Sequence, residues 1–252
     1  MKYITVILLM LVGSFAYTQG NDVDSQVSLD DIVFQDLDQN LMKVWLLGRQ
    51  ANSSQLDEKF KSCQKEWLFV KKKLLSTDLP HVNVEEFVSD LDYYYKLLAT
   101  SVGSRDYLNI EKMSYHIMYE FRSLRQCYFY SSYSLDQLWD VIDVYQSIDF
   151  TIDDPMMDLK EWHEFEDMIN DMICNWENYD YLHISEIQKF YPGMNKNRHS
   201  IAKEDINSCT FSLLIAIETA MQDKFKLPCD QLGDAFEELI QLYAYSKPSV
   251  LM

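Results

Sequence analysis

The densest run of chemistry-bearing side chains is Glu161-Trp162-His163-Glu164-Phe165-Glu166, followed by Asp167. On a helix, His163, Glu166 and Asp167 stand three and four positions apart and share one surface patch. An imidazole and two carboxylates there, with Asp153, Asp154 and Asp158 upstream, form a weak candidate site for a divalent cation. The simpler reading is an acidic first turn that favours the positive end of the helix dipole. A calcium loop is excluded here and at Asp36, Asp38 and Asn40, because both stretches lack the central Gly and the Glu at the twelfth position.

Other chemistries find less support. The histidines are His81, His116, His163, His183 and His199, and none follows a Glu at the Glu-x-x-His spacing that a di-iron bundle requires. Asp180-Tyr181-Leu182-His183 has the spacing but stands alone at a helix junction, and the run to His81 contains Pro80. The cysteines Cys63, Cys127, Cys174, Cys209 and Cys229 are odd in number and form no CxxC or CxxCH, which removes zinc, covalent haem and a dithiol redox centre. Cys63, Cys174 and Cys209 fall on apolar helical faces, where a thiol acts as a small hydrophobe. Whether any pair forms a disulfide stays open. No Gly-x-Ser-x-Gly elbow is present. No catalytic residue and no cofactor is therefore expected. The tyrosine-rich stretches Tyr93 to Tyr95 and Tyr128 to Tyr133 suit core and interface packing, or the lining of a small apolar ligand site.

The elements that must position these residues follow from composition. The chain has 252 residues, 22 Lys+Arg against 40 Asp+Glu, and a formal net charge of −18. It is 48% hydrophobic but has only 6 Gly and 5 Pro, too few for the frequent turns of an all-β fold or for a Gly-rich phosphate loop. The negative charge argues against a nucleic-acid partner, which needs a basic face.

The N-terminus reads as an export signal. Lys2 is followed by an apolar run from Ile4 to Phe15, and Ser14-Phe15-Ala16 offers small residues at a cleavage site, giving a signal peptide over 1–16 and a mature start at Tyr17. The run is shorter than the roughly 20 residues of a spanning helix. With no later apolar stretch of that length, the mature protein is expected to be periplasmic or extracellular. The Tyr17-Thr18-Gln19 start looks similar to exported proteins of Gram-negative bacteria.

Beyond the signal, apolar residues recur at helical spacing almost throughout. A first helix is expected from Ser28, with a capping carboxylate at Asp31, to Gly48, inside a segment spanning 17–54. Asn52-Ser53-Ser54 is a glycosylation acceptor only in a eukaryotic source. Gln55 to Leu75 carries the stripe Phe60, Cys63, Trp67, Val70 and Leu74, with Lys59, Lys61, Lys65 and Lys71 to Lys73 opposite. That basic patch is read as a solvated face. Further helices are expected over Val84 to Thr100, from Ser104, and from Ser134 with a capping box to Gln137. Beyond the acidic linker 149–158 come Leu159 to Tyr179, His183 to Tyr191, Ser200 to Lys226 and Cys229 to Tyr245, then a tail over 246–252.

Self-comparison suggests an internal repeat. Laying Ser104 on Ser200 also lays Ile110 on Ile206, Ile117 on Leu213 and Phe121 on Ile217. Asp136-Gln137-Leu138 matches Asp230-Gln231-Leu232, and Phe60 and Trp67 fall on Phe165 and Met172. The expectation is an all-α fold: two tandem, duplicated four-helix-bundle-like units over 55–148 and 159–245, plus an N-terminal helix. This architecture is similar to exported bundles of the cytochrome b562 and cytochrome c′ type. The resemblance does not extend to haem, because CxxCH is absent and neither Ser134–Tyr145 nor Cys229–Tyr245 contains His. The functional expectation is a non-enzymatic exported binding protein for an unknown protein or a small apolar ligand. The alternative is a ligand or metal binder of the bundle-interior kind.

Overall fold

The computed structural model describes residues 31–77, 79, 82–128, 133–152, 159–219 and 224–246. The expected signal peptide, the cap at Ser28, His81, the linker aspartates Asp153, Asp154 and Asp158, and the tail beyond Ser246 lie outside the described residues. The described residues form helices and short connections, with no strand among them. The helices are α1 (Asp31–Arg49), α2 (Leu56–Leu75), α3 (Val84–Ser104), α4 (Tyr107–Tyr128), α5 (Ser134–Ile152), α6 (Leu159–Asp180), α7 (Ile184–Phe190), α8 (Lys196–Thr219) and α9 (Lys226–Tyr245). None is long and apolar enough to cross a membrane.

Periodicity places these helices, but local polar chemistry sets their ends. α3 runs on through Ser104 and stops where Arg105 turns left-handed at φ 57°. Ser104 is therefore not the cap of the next helix: its hydroxyl donates back to Thr100 O at 3.0 Å. Asp106 takes the cap position instead, its carboxylate receiving Asn109 N–H at 3.2 Å. α8 likewise starts before Ser200, with Asn195 Oδ1 receiving Arg198 N–H at 3.0 Å. Ser134 is the first residue of α5 rather than its cap, and the carbonyl of Tyr133 receives Asp136 N–H at 2.9 Å. Pro228 stands in the first turn of α9, where its missing N–H costs no helical bond.

Helix packing follows two cycles. α1 packs on α2 and α4, α2 on α3, and α3 on α4. α5 packs on α6 and α9, α8 on α6 and α9. α9 and the short α7 rest against α1. The expected grouping 55–148 leaves α1 outside and takes α5 in, whereas α1 lies between α2 and α4. Gly48 shows how tightly: a Cβ there would come within 2.9 Å of both Glu111 N and Ile110 Cγ2. It lies inside the last turn of α1, serving close approach to α4 rather than ending the helix. Gly233 of α9 plays the same part against the Tyr145 hydroxyl of α5.

The α2 stripe is buried as its spacing requires, including Phe60, Cys63, Trp67, Val70 and Leu74. Trp67 stacks on Tyr95, with ring centroids 5.3 Å apart, and meets Phe121 edge-on at 5.8 Å. Its Nε1 donates to Asp92 Oδ1 at 2.9 Å. Trp176 of α6 meets Phe236 edge-on at 6.0 Å and donates to Asn207 Oδ1 at 2.6 Å.

Candidate binding groove and its polar surroundings

An open groove of about 770 Å³ lies where α1, α4 and α5 converge. Trp45 of α1, Tyr115 of α4 and Tyr145 of α5 form aromatic walls, and Leu108 and Phe150 stand on the rim. Leu108 is 60% and Phe150 79% exposed, so two large apolar side chains sit in water beside an aromatic cleft. Arg49 lies 5.6 Å above the Trp45 ring and is held by Glu111 at 3.3 Å and Glu237 at 3.5 Å. Lys112, exposed, supplies a cation at the groove edge.

Trp45 itself is 2% exposed, and its indole N–H has no hydrogen-bond acceptor. The same holds for Trp139 of α5, which meets Trp45 edge-to-face at 5.5 Å and 88°. An edge-to-face pair offers one edge and one face, so only one of the two N–H groups can be directed at its neighbour's ring. A buried indole N–H without a partner is costly and calls for a reason.

Two phenols line the groove, and Cys229 lies behind one of them. Burial pushes the Tyr145 phenol up, and its hydroxyl donates to Cys229 O at 3.2 Å. Burial, then the nearby Asp149 carboxylate, pushes the Cys229 thiol up to about 12. Burial and Asp143 likewise push up Tyr115, whose hydroxyl donates to Asp143. Groups raised in this way keep their protons near neutral pH. Cys63, also pushed up to about 12 by burial, lies in the core against Tyr95. Cys63, Cys174, Cys209 and Cys229 are free thiols.

Beside the groove runs a buried charged seam that the sequence alone does not reveal. Arg125 of α4, 5% exposed, donates to Asp136 of α5 at 2.9 and 2.5 Å and to Asp38 of α1 at 3.0 and 3.3 Å. Tyr133 donates to Asp38 at 3.1 Å, and its hydroxyl lies 2.5 Å from that of Tyr191. Burial pushes the Asp38 carboxyl up to about 6 against the opposing pull of Arg125. Burial opposes the charge on Arg125, but Asp38 and then Asp136 outweigh it and hold the guanidinium charged. Two carboxylates thus face one cation in a dry site. The tyrosines continue inward: Tyr191 meets Tyr243 edge-on at 4.8 Å, Tyr243 bonds Tyr179 at 2.8 Å, and Tyr179 reaches His199 Nε2 at 3.1 Å. Burial, then Lys203, lowers His199 to about 4.

The weak cation candidates are placed differently. His163 and Glu166 are 3.2 Å apart on α6, but Glu166 also receives Trp162 Nε1 at 2.8 Å, and Asp167 is exposed. No group of three or more His, Cys, Asp or Glu among the described residues is arranged to hold a metal ion. His183 caps α7 through Ser185, and Asp180 pairs with Lys203 at 2.8 Å.

Fold and groove together define an all-helical protein with an aromatic cleft among three helices. Comparison with protein-family models, with curated proteins and with solved structures finds no match to this chain.

Proposed function

We propose that this chain is an exported, non-enzymatic binding protein that takes a small aromatic, amphipathic ligand in the groove between α1, α4 and α5. The observation that carries the reading is the pairing of the aromatic walls Trp45, Tyr115 and Tyr145 with two exposed apolar rim residues, Leu108 and Phe150. The aromatic walls would take an apolar body, and Lys112 would meet an anionic end. Reading the chain as non-enzymatic rests on the Tyr115 and Tyr145 phenols of the groove, and the Cys229 thiol behind Tyr145, being held protonated.

The architecture we propose is a duplicated pair of four-helix units, α1–α4 and α5, α6, α8, α9, meeting at the groove; this order pairs α4 with α9, so it replaces the register that lays Ser104 on Ser200 and Asp136 on Asp230. Its support is the two packing cycles and the matched tryptophans, each with an edge-on Phe and a side-chain acceptor from the next helix. Export rests on the apolar run ending at Ala16.

Titration with 8-anilinonaphthalene-1-sulfonate, an anionic aromatic amphiphile, tests the groove. We expect saturable fluorescence at one site per chain, abolished by Leu108→Asp with Phe150→Asp while the melting curve is kept. Binding that survives both changes would place the site elsewhere.

A further inference from the structure

The outward face of α2 combines two features that the sequence pattern keeps apart. Lys61, Lys65, Leu68, Lys72 and Leu75 follow one another at steps of three and four and so form one line along the helix. All five are exposed, Leu68 at 66% and Leu75 at 51%, and Phe69 beside them is 52% exposed with Lys73 Nζ 5.1 Å above its ring. The opposite face, with Phe60, Trp67 and Leu74, is fully committed to the core. Lysine is concentrated here as nowhere else: six of the chain's 22 basic residues lie in α2, in a protein of net charge −18. The acidic residues of the helix are mostly engaged, Asp57 by Arg105 and Glu58 by Lys59. Lys71 is held by Asp92, leaving Lys61, Lys65 and Lys72 to solvent.

We propose that this face of α2 is a landing surface for an anionic lipid bilayer. Its charge complements lipid phosphate and carboxylate groups, while the rest of so acidic a chain is repelled by them. The apolar residues stand exposed along the helix, and no residue of α2 lines the groove between α1, α4 and α5 or the hollow beside Asp180 and His199. A protein partner would need a trough to receive this helical ridge, whereas the headgroup region accepts it directly. Leu68, Phe69 and Leu75 would enter the acyl boundary while lysine stems reach up to the headgroups. The line spans about 20 Å at the rise of an α-helix, enough for an in-plane contact.

The experiment is co-sedimentation of the mature chain with vesicles of phosphatidylcholine alone and of phosphatidylcholine with phosphatidylserine. We expect binding only to the anionic vesicles, lost at high salt. Lys65→Glu with Lys72→Glu should weaken it more than tenfold, and Leu68→Ser with Phe69→Ser should weaken it several-fold, both with unchanged melting curves. No binding to anionic vesicles at low salt would overturn the proposal. Indifference to either double variant would also overturn it. Displacement by soluble polyglutamate from vesicles, with equally tight binding to that polymer, would assign the face to an acidic protein instead.

Discussion

The cores of the two proposed units and the seam between them treat tryptophan differently. In the cores, Trp67 and Trp176 are buried, pack edge-on against a Phe, and give their N–H to Asp92 and Asn207. In the seam, Trp45 and Trp139 are equally buried but face each other with neither N–H accepted. The same side chain is thus satisfied where it only has to hold the fold and unsatisfied where helices from different cycles meet beside an open groove. Under the proposed function, a ligand would bind beside the second pair and leave the first untouched.

The largest expected effect sharpens that contrast from the core side. Trp67→Ala and Trp176→Ala should each cost about 3–5 kcal/mol in denaturant unfolding, from lost burial plus a cavity. A loss under about 1 kcal/mol for either would remove it from the core. Arg125→Met attacks the seam. It strands Asp38 and Asp136 as buried carboxylates and should cost about 3–5 kcal/mol at pH 8. The cost should shrink toward pH 5 as Asp38 takes up its proton, and a pH-independent loss would contradict the charge imbalance.

Asp38 alone gives a smaller effect of defined sign. Its folded value of about 6 lies above the usual 3.8, so the folded state binds the proton more tightly. Its contribution is therefore destabilising above pH 6, and stability from this group rises as pH falls from 6 toward 4. His199, lowered to about 4, acts in the opposite direction over the same range. The difference between wild type and Asp38→Asn isolates the aspartate. That difference should change by on the order of 2 kcal/mol between pH 8 and pH 4 in urea melts, and a flat difference would refute the shift.

How much of this the sequence discloses depends on the range of the interaction. The stripe from Phe60 to Leu74 repeats at helical period, so its burial is legible in the spacing alone. Helix ends are less legible, because Ser104 and Ser134 look like caps while Asp106 and the Tyr133 carbonyl do that work. The seam is not legible at all. Asp38, Arg125 and Asp136 each look like ordinary helical surface charge, and only the packing of α1, α4 and α5 brings them together. Trp45 and Trp139 lie on apolar stripes that say "buried" but not whether an acceptor waits. On α2, Lys65 and Lys72 are plain as a basic face. Leu68 and Phe69 are hidden by their adjacency to Trp67 and Val70, which turn the other way.

The smallest stability effects separate the two kinds of tryptophan most cleanly. Trp67→Phe should cost about 1–2 kcal/mol through the lost bond to Asp92, whereas Trp45→Phe, losing an N–H with no partner, should cost less. Lys72→Ala should stay within about 0.5 kcal/mol of wild type. Equal losses for the two Trp→Phe variants would erase the distinction between core and seam.

The most direct test of the central claim follows the five tryptophans by their indole ¹H–¹⁵N resonances during titration with 8-anilinonaphthalene-1-sulfonate. If the groove completes itself with a ligand, the Trp45 resonance moves with the fluorescence isotherm, Trp139 follows it, and Trp67 and Trp176 hold still. A saturating isotherm with Trp45 unmoved, or with Trp67 or Trp176 moving most, would contradict it.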